Sequence, residues 1–120
     1  MRAPDCFIDT NILLYAVSTA PAEAAKTEIA RSLIQKTQWG WSAQVAAEFI
    51  RAASSKRNIA MSRAEAAKWV ELWMAYPMVS VDGTMILEAA ALGERFQISY
   101  FDSQILVAAK RLGCELVDSE

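Results

Sequence analysis

Three carboxylates stand out by their neighbours. Asp9 follows the apolar run Cys6-Phe7-Ile8 and precedes Thr10-Asn11, so a short strand meets a polar turn there. Thr10 and Asn11 can hydrogen-bond and fix that turn, although a plain Asx turn or a helix N-cap would use such an aspartate equally well. Glu48 lies three residues after Val45, one before Phe49 and four before Ala52. On a helix those offsets set it beside the apolar stripe, where a carboxylate must be neutralised, paired or bound to a cation. Arg51, three residues on, offers the ordinary alternative of an edge salt bridge. Asp102 falls three residues after Ser99, a helix-capping residue type, so it sits in a first helical turn where negative charge is favoured. Ile105 and Leu106 bring an apolar face to its border, yet a helix-start aspartate needs no further role.

Converging at one place, these acids would repel one another and raise at least one pKa unless a cation joined them. Hard divalent ions, Mg²⁺ or Mn²⁺, suit oxygen-only donors. Such an ion can acidify water, hold a phosphate oxygen and stabilise a leaving oxygen, which amounts to phosphodiester hydrolysis. The chain contains no histidine, so His–Cys zinc sites, Ser-His-Asp triads and Cys–His nucleophiles are excluded. An aspartyl-nucleophile phosphatase is disfavoured, because it needs a second aspartate two residues after the first and position 11 is Asn.

The elements that must position these acids alternate. After the strand at 6–8, residues 12–17 continue as a short helical turn. Pro21 opens a helix whose stripe is Ala25, Ile29, Ala30, Leu33 and Ile34. Trp39-Gly40-Trp41 reads as a strand, and Ser42 caps a helix bearing Val45, Phe49 and Ala52. Ser62-Arg63-Ala64-Glu65 is a capping box opening a helix with Ala66, Trp69, Val70 and Trp73, which Pro77 stops. Residues 78–81 form a third strand. Asp82-Gly83 begin a helix reaching Phe96, and Ser99 caps another with a stripe of Ile105, Leu106, Ala109 and Leu112 ending at Gly113. Residues 115–117 close as a strand. Helices between strands favour a parallel sheet with helices on its faces, and such sheets bind ligands beyond the carboxyl ends of their strands, which is where Asp9 falls.

The 120 residues suit a single domain spanning 1–120, and 54% apolar with 22% charged residues is an ordinary globular composition. No apolar run approaches a membrane span, and the N-terminus lacks the layout of a secretory signal, so a cytoplasmic protein without membrane contact is expected. The two cysteines, Cys6 and Cys114, are expected as small buried hydrophobes rather than a disulfide framework. A net charge of −2 argues against binding nucleic acid by bulk charge, not against a local basic edge or a bridging ion.

The acid-bearing segments, residues 7–15 (Phe-Ile-Asp-Thr-Asn-Ile-Leu-Leu-Tyr), 42–49 (Ser-Ala-Gln-Val-Ala-Ala-Glu-Phe) and 99–105 (Ser-Tyr-Phe-Asp-Ser-Gln-Ile), resemble those of the PIN-domain ribonucleases. More narrowly, they are similar to the VapC-like toxins of bacterial toxin–antitoxin pairs. Residues 113–120 look like the family's closing strand motif. The resemblance implies a three-layer α/β sandwich with a central, mainly parallel sheet flanked by helices, here without the family's final strand. It implies Mg²⁺ or Mn²⁺ held by Asp9 and Asp102, Glu48 completing the acidic cluster, and Thr10 steadying the site. It further implies an RNA substrate, a cognate antitoxin and a homodimer. The family's closing motif runs Ser-Glu-Asp with the aspartate as fourth acid. Here Asp118 and Glu120 are the candidates for a weak fourth acid, and the expectation is one secure metal site rather than two.

Arg51, Lys56, Arg57 and Arg63 cluster near the end of the Glu48 helix, either as RNA-phosphate contacts or as a solvated helix end. Trp69 and Trp73, four residues apart, read as core or as a dimer or antitoxin surface. Ser99 is a cap first and a supporting site residue second, beside Thr10 and Asn11. The leading expectation is a metal-dependent endoribonuclease toxin. The alternative is a shortened, catalytically weak or inactive PIN-like domain that serves as a protein-interaction module.

Overall fold

The computed structural model describes residues 3–55 and 61–118. Four strands, β1 (Cys6–Ile8), β2 (Trp39–Ser42), β3 (Met78–Val79) and β4 (Val117–Asp118), form one parallel sheet in the order β3-β2-β1-β4. Among the described residues six α-helices connect them: α1 (Thr10–Val17), α2 (Ala24–Lys36), α3 (Ala43–Ala53), α4 (Arg63–Trp73), α5 (Gly83–Phe96) and α6 (Tyr100–Leu112). The expected α/β architecture is the observed one. The chain steps outward from β1 to β3, then crosses to place β4 on the other side of β1. The strand order therefore reverses at β1, and the crevice beyond its carboxyl end is where this topology accepts a ligand.

The two faces of the sheet are occupied differently. Trp39 and Trp41, two apart on β2, share one face and meet Trp73 of α4 edge-on, with ring centroids 6.4 and 6.1 Å away. Tyr76 stacks on Trp39 at 4.2 Å, and Phe49 of α3 meets Trp73 at 5.0 Å. Between them, Gly40 points to the opposite face. A Cβ there would come within 3.0 Å of Leu112 on α6, so the glycine permits close helix–sheet approach. α6 lies against β2, β3 and β4 with α5 packed along it, while α1 joins α2 and α3, and α4 packs on α3. That is helix, sheet, helix: three layers.

The polar start signals work as read. Ser42, Ser62, Asp82 and Ser99 each accept a backbone N–H in the first turn of α3, α4, α5 and α6, and Ser62 with Glu65 completes the capping box. Gly113, at φ +80°, closes α6 in the left-handed conformation. Several expectations need correction. Residues 21–23 form a 3₁₀ turn before α2 begins at Ala24. Ile29 is 69% exposed, and Thr27 takes its place in the buried face of α2 beside Ala30 and Ile34. On α6, Leu106 faces outward and the buried set is Ser103, Gln104, Val107, Ala108 and Ala109, because the helix turns its small residues toward α5. The third strand stops at Val79, and the last shifts to Val117–Asp118. Cys6 is buried as expected, Cys114 only half-buried, and both are free thiols. No helix among the described residues is long and apolar enough to cross a membrane.

Candidate functional site

Asp9 leaves β1 in extended conformation (φ −86°, ψ 165°) and caps α1, its Oδ1 accepting the Thr10 N–H at 2.6 Å. β4 reinforces the spot, since the Asp9 N–H donates to the Asp118 carbonyl at 3.1 Å. The sheet thus fixes the backbone on one side of the carboxyl and the helix start fixes it on the other. Thr10, buried, turns its hydroxyl across to α3 and donates to Oε2 of Glu48 at 3.1 Å. Glu48 reaches this point because the amphipathic pattern of α3 buries Val45 and Phe49 and leaves Glu48 half-buried at the border. Its Oε1 accepts from the Gln44 amide at 3.2 Å.

Burial pushes the Asp9 carboxyl above the usual aspartate range; the Thr10 N–H opposes this, and the charges of Glu48 and Asp102 add to it. Asp102, exposed in the first turn of α6, has its own N–H capped by Ser99 Oγ at 3.1 Å. Acids far apart in the chain thus act electrostatically on one carboxyl at the strand-order reversal. They remain neighbours rather than a closed cage. Among the described residues, no group of three or more histidine, cysteine, aspartate or glutamate side chains stands ready to hold a metal ion. Glu48 is held at both of its oxygens by Thr10 and Gln44.

The remaining candidates are distributed around this group. Asn11 is exposed on α1. The Ser99 hydroxyl is committed to its cap, and its carbonyl accepts from the Ser103 hydroxyl at 2.8 Å. Asp118 stands next to Asp9 along the backbone, but its carboxyl turns to the Cys6 thiol. Strand pairing explains this: Asp118 is in register with Ile8, which shares a sheet face with Cys6. Burial and the Asp118 carboxyl push the Cys6 thiol up to about 11. Glu120, Lys56 and Arg57 lie outside the described residues. Arg51 is exposed in the last turn of α3, and Glu48 bonds to Thr10 and Gln44 instead of pairing with it. Trp73 is core, whereas Trp69 is 38% exposed. Sequence reading missed Gln44, whose signal was its position four residues before Glu48. It also missed Gln104, buried on α6, whose amide donates to the Tyr100 hydroxyl at 3.1 Å.

A family model described as the PIN domain matches residues 6–120. No curated protein sequence matches. Among solved structures, the chain is similar to Mycobacterium tuberculosis VapC20, a sarcin–ricin loop cleaving toxin, with a TM-score of 0.75 and 16% identity over 93% of this chain and 86% of that one. It is similar to a chain of a toxin–antitoxin complex from Klebsiella pneumoniae (TM-score 0.65, 16% identity, 96% and 86% covered). A third similar chain belongs to VapBC2 from Rickettsia felis bound to a DNA fragment from their promoter (0.63, 17%, 96% and 87%).

Proposed function

The chain belongs to the PIN domain family, and on that premise we propose that it is an Mg²⁺- or Mn²⁺-dependent endoribonuclease, the toxin of a toxin–antitoxin pair. The observation that carries this reading is the meeting of acids from three elements at the end of β1: Asp9, half-buried and capping α1, Glu48 of α3 bonded to the neighbouring Thr10, and Asp102 of α6, whose charge with that of Glu48 adds to the effect of burial on the Asp9 carboxyl. The donor set fits a hard cation, being oxygen throughout, and a cation would relieve the repulsion that the acids exert on Asp9. Asp9 and Asp102 would hold it, with Glu48 joining them directly or through water. When bound, such an ion supplies Lewis acidity to a phosphate oxygen and lowers the pKa of water.

The chain's own residues do the rest. Asp9 is fixed by β4 and by the first turn of α1, so its carboxyl is presented without searching rotamers. Glu48, steadied by Thr10, accepts a hydrogen bond from the attacking water and orients it toward phosphorus. Asp9 at the N-cap of α1 and Asp102 in the first turn of α6 lie at helix N-termini, whose dipoles suit phosphate as well as carboxylate. Exposed Arg51 contributes phosphate contact, and Lys56 and Arg57 belong to the same basic stretch of sequence.

An antitoxin partner is supported by the kinship of the fold with chains from toxin–antitoxin complexes. The exposed part of Trp69, with Trp73, Ile34 and Arg31 in the cleft between α2 and α4, offers it an aromatic anchor. A homodimer and action in the cytoplasm complete the proposal.

The test is cleavage of a single-stranded RNA panel with Mg²⁺ or Mn²⁺, beside excess chelator. Asp9→Asn and Asp102→Asn are expected to lose about a hundredfold or more in rate, at or beyond the cost of removing even an outer support of a metal site. Full cleavage in chelator or by either variant would overturn the mechanism. Cleavage by none of the proteins, with antitoxin binding retained, would leave the interaction-module reading.

A further inference from the structure

Glu48 is held at both of its oxygens, from two elements. Thr10 on α1 donates its hydroxyl to Oε2 at 3.1 Å, and Gln44 donates its side-chain amide to Oε1 at 3.2 Å. Gln44 and Glu48 are four apart on α3, so the same helix face carries both and the bond forms without bending the backbone. Each carboxylate oxygen has two lone-pair positions and gives one to this clamp, which leaves one on each oxygen for a further ligand.

The chemical type of residue 44 matters here. A glutamine amide is a neutral donor, so it fixes the plane of the carboxylate and leaves its full negative charge. A lysine or arginine in the same place would hold the carboxylate equally well but would cancel the charge that attracts a cation. An aliphatic residue would leave the charge and free the rotamer, so that ordering Glu48 would fall on the binding step. Supports that orient a ligating side chain while raising or preserving its basicity are how proteins tune metal affinity.

We propose that Gln44 is a positioning residue: with Thr10 it orients the Glu48 carboxylate for a divalent cation shared with Asp9 and Asp102. This rests on the reading of those acids as a cation site and deepens it. Gln44 touches neither cation nor substrate and acts through Glu48.

The experiment is Mn²⁺ binding by isothermal titration calorimetry on the whole chain, with thermal unfolding in chelator recorded for every variant. Gln44→Met keeps the length of the side chain and removes the donor. It is expected to weaken Mn²⁺ binding by about 10–100-fold. In a Glu48→Gln background, the same substitution is expected to cause no additional loss, because the group it positions is gone. Gln44→Lys keeps reach and a donor and adds positive charge. It too is expected to weaken binding, through its charge, while Gln44→Ala, which removes the donor with less bulk and is expected to act as the Met variant does, decides the matter should the Met variant fail to fold. Binding by Gln44→Met indistinguishable from wild type overturns the role of Gln44 alone and leaves the cation site standing. A loss of the same size with and without Glu48 overturns it as well, since that marks a general packing effect. Absence of Mn²⁺ binding by the wild-type chain overturns the cation site itself, and the role of Gln44 with it.

Discussion

The Asp9 carboxyl caps α1 through the Thr10 N–H, while burial and the charges of Glu48 and Asp102 push its pKa up. A carboxyl whose folded pKa exceeds its unfolded one binds more protons in the native state between those two values. Its contribution to stability therefore falls as pH rises through that window, and at neutral pH the whole penalty is present. Asn at position 9 keeps an oxygen for the cap and sheds the charge. Asp9→Asn is expected to melt a few degrees above wild type at neutral pH in chelator, with the advantage shrinking as the pH falls from the raised value toward the ordinary aspartate range and gone below it. Thermal denaturation at both pH values checks this, and a variant less stable at neutral pH would contradict it. The same substitution is expected to remove activity, which would mark the position as one where stability yields to function. At this scale the sequence singles out Asp9, Glu48 and Asp102 as candidates by their flanking apolar residues and cap types, and the fold brings Glu48 and Asp102 close enough for their charges to act on Asp9. Direction was not legible. That Thr10 bonds Glu48, that Gln44 completes the clamp, and that Asp118 turns to Cys6 depend on contacts between elements.

Helix α6 carries Asp102, and α5 is what holds α6 in place. Their contact is close at Gly93, where a Cβ would come within 2.8 Å of Ser103 Oγ and 3.0 Å of the Ile98 carbonyl. Ser103 is fully buried, and its hydroxyl is already bonded to Ser99. Gly93→Ala would gain helix propensity of roughly 1 kcal/mol. Overpacking of this kind costs about 1–3 kcal/mol and is expected to win, giving a net destabilisation in urea denaturation. A stabilised variant would show that α5 and α6 are free to separate. Element starts and stops were readable because caps act locally: Ser42, Ser62, Asp82, Ser99 and Gly113 all do what their types suggest. Faces were less readable. Ile29 and Leu106 fit helical stripes yet are exposed, because small residues such as Ala30, Ser103 and Ala108 allow the closer approach and so decide which side turns inward.

Over the whole molecule, the order β3-β2-β1-β4 brings acids from three distant segments to the end of β1, and a net charge of −2 gives RNA no general attraction. On the proposed reading, RNA would be recognised locally, through a cation and exposed basic residues such as Arg51. The fold is shared with VapC20 and with chains of two further solved structures at 16–17% identity, so it survives extensive change of sequence. The most direct test of the acidic site is a crystal soaked in Mn²⁺ and measured for anomalous scattering. A peak between the carboxylates of Asp9 and Asp102, lost in Asp102→Asn, is the result expected. Mn²⁺ bound only elsewhere on the molecule, with Asp9 and Asp102 left apart, would contradict it.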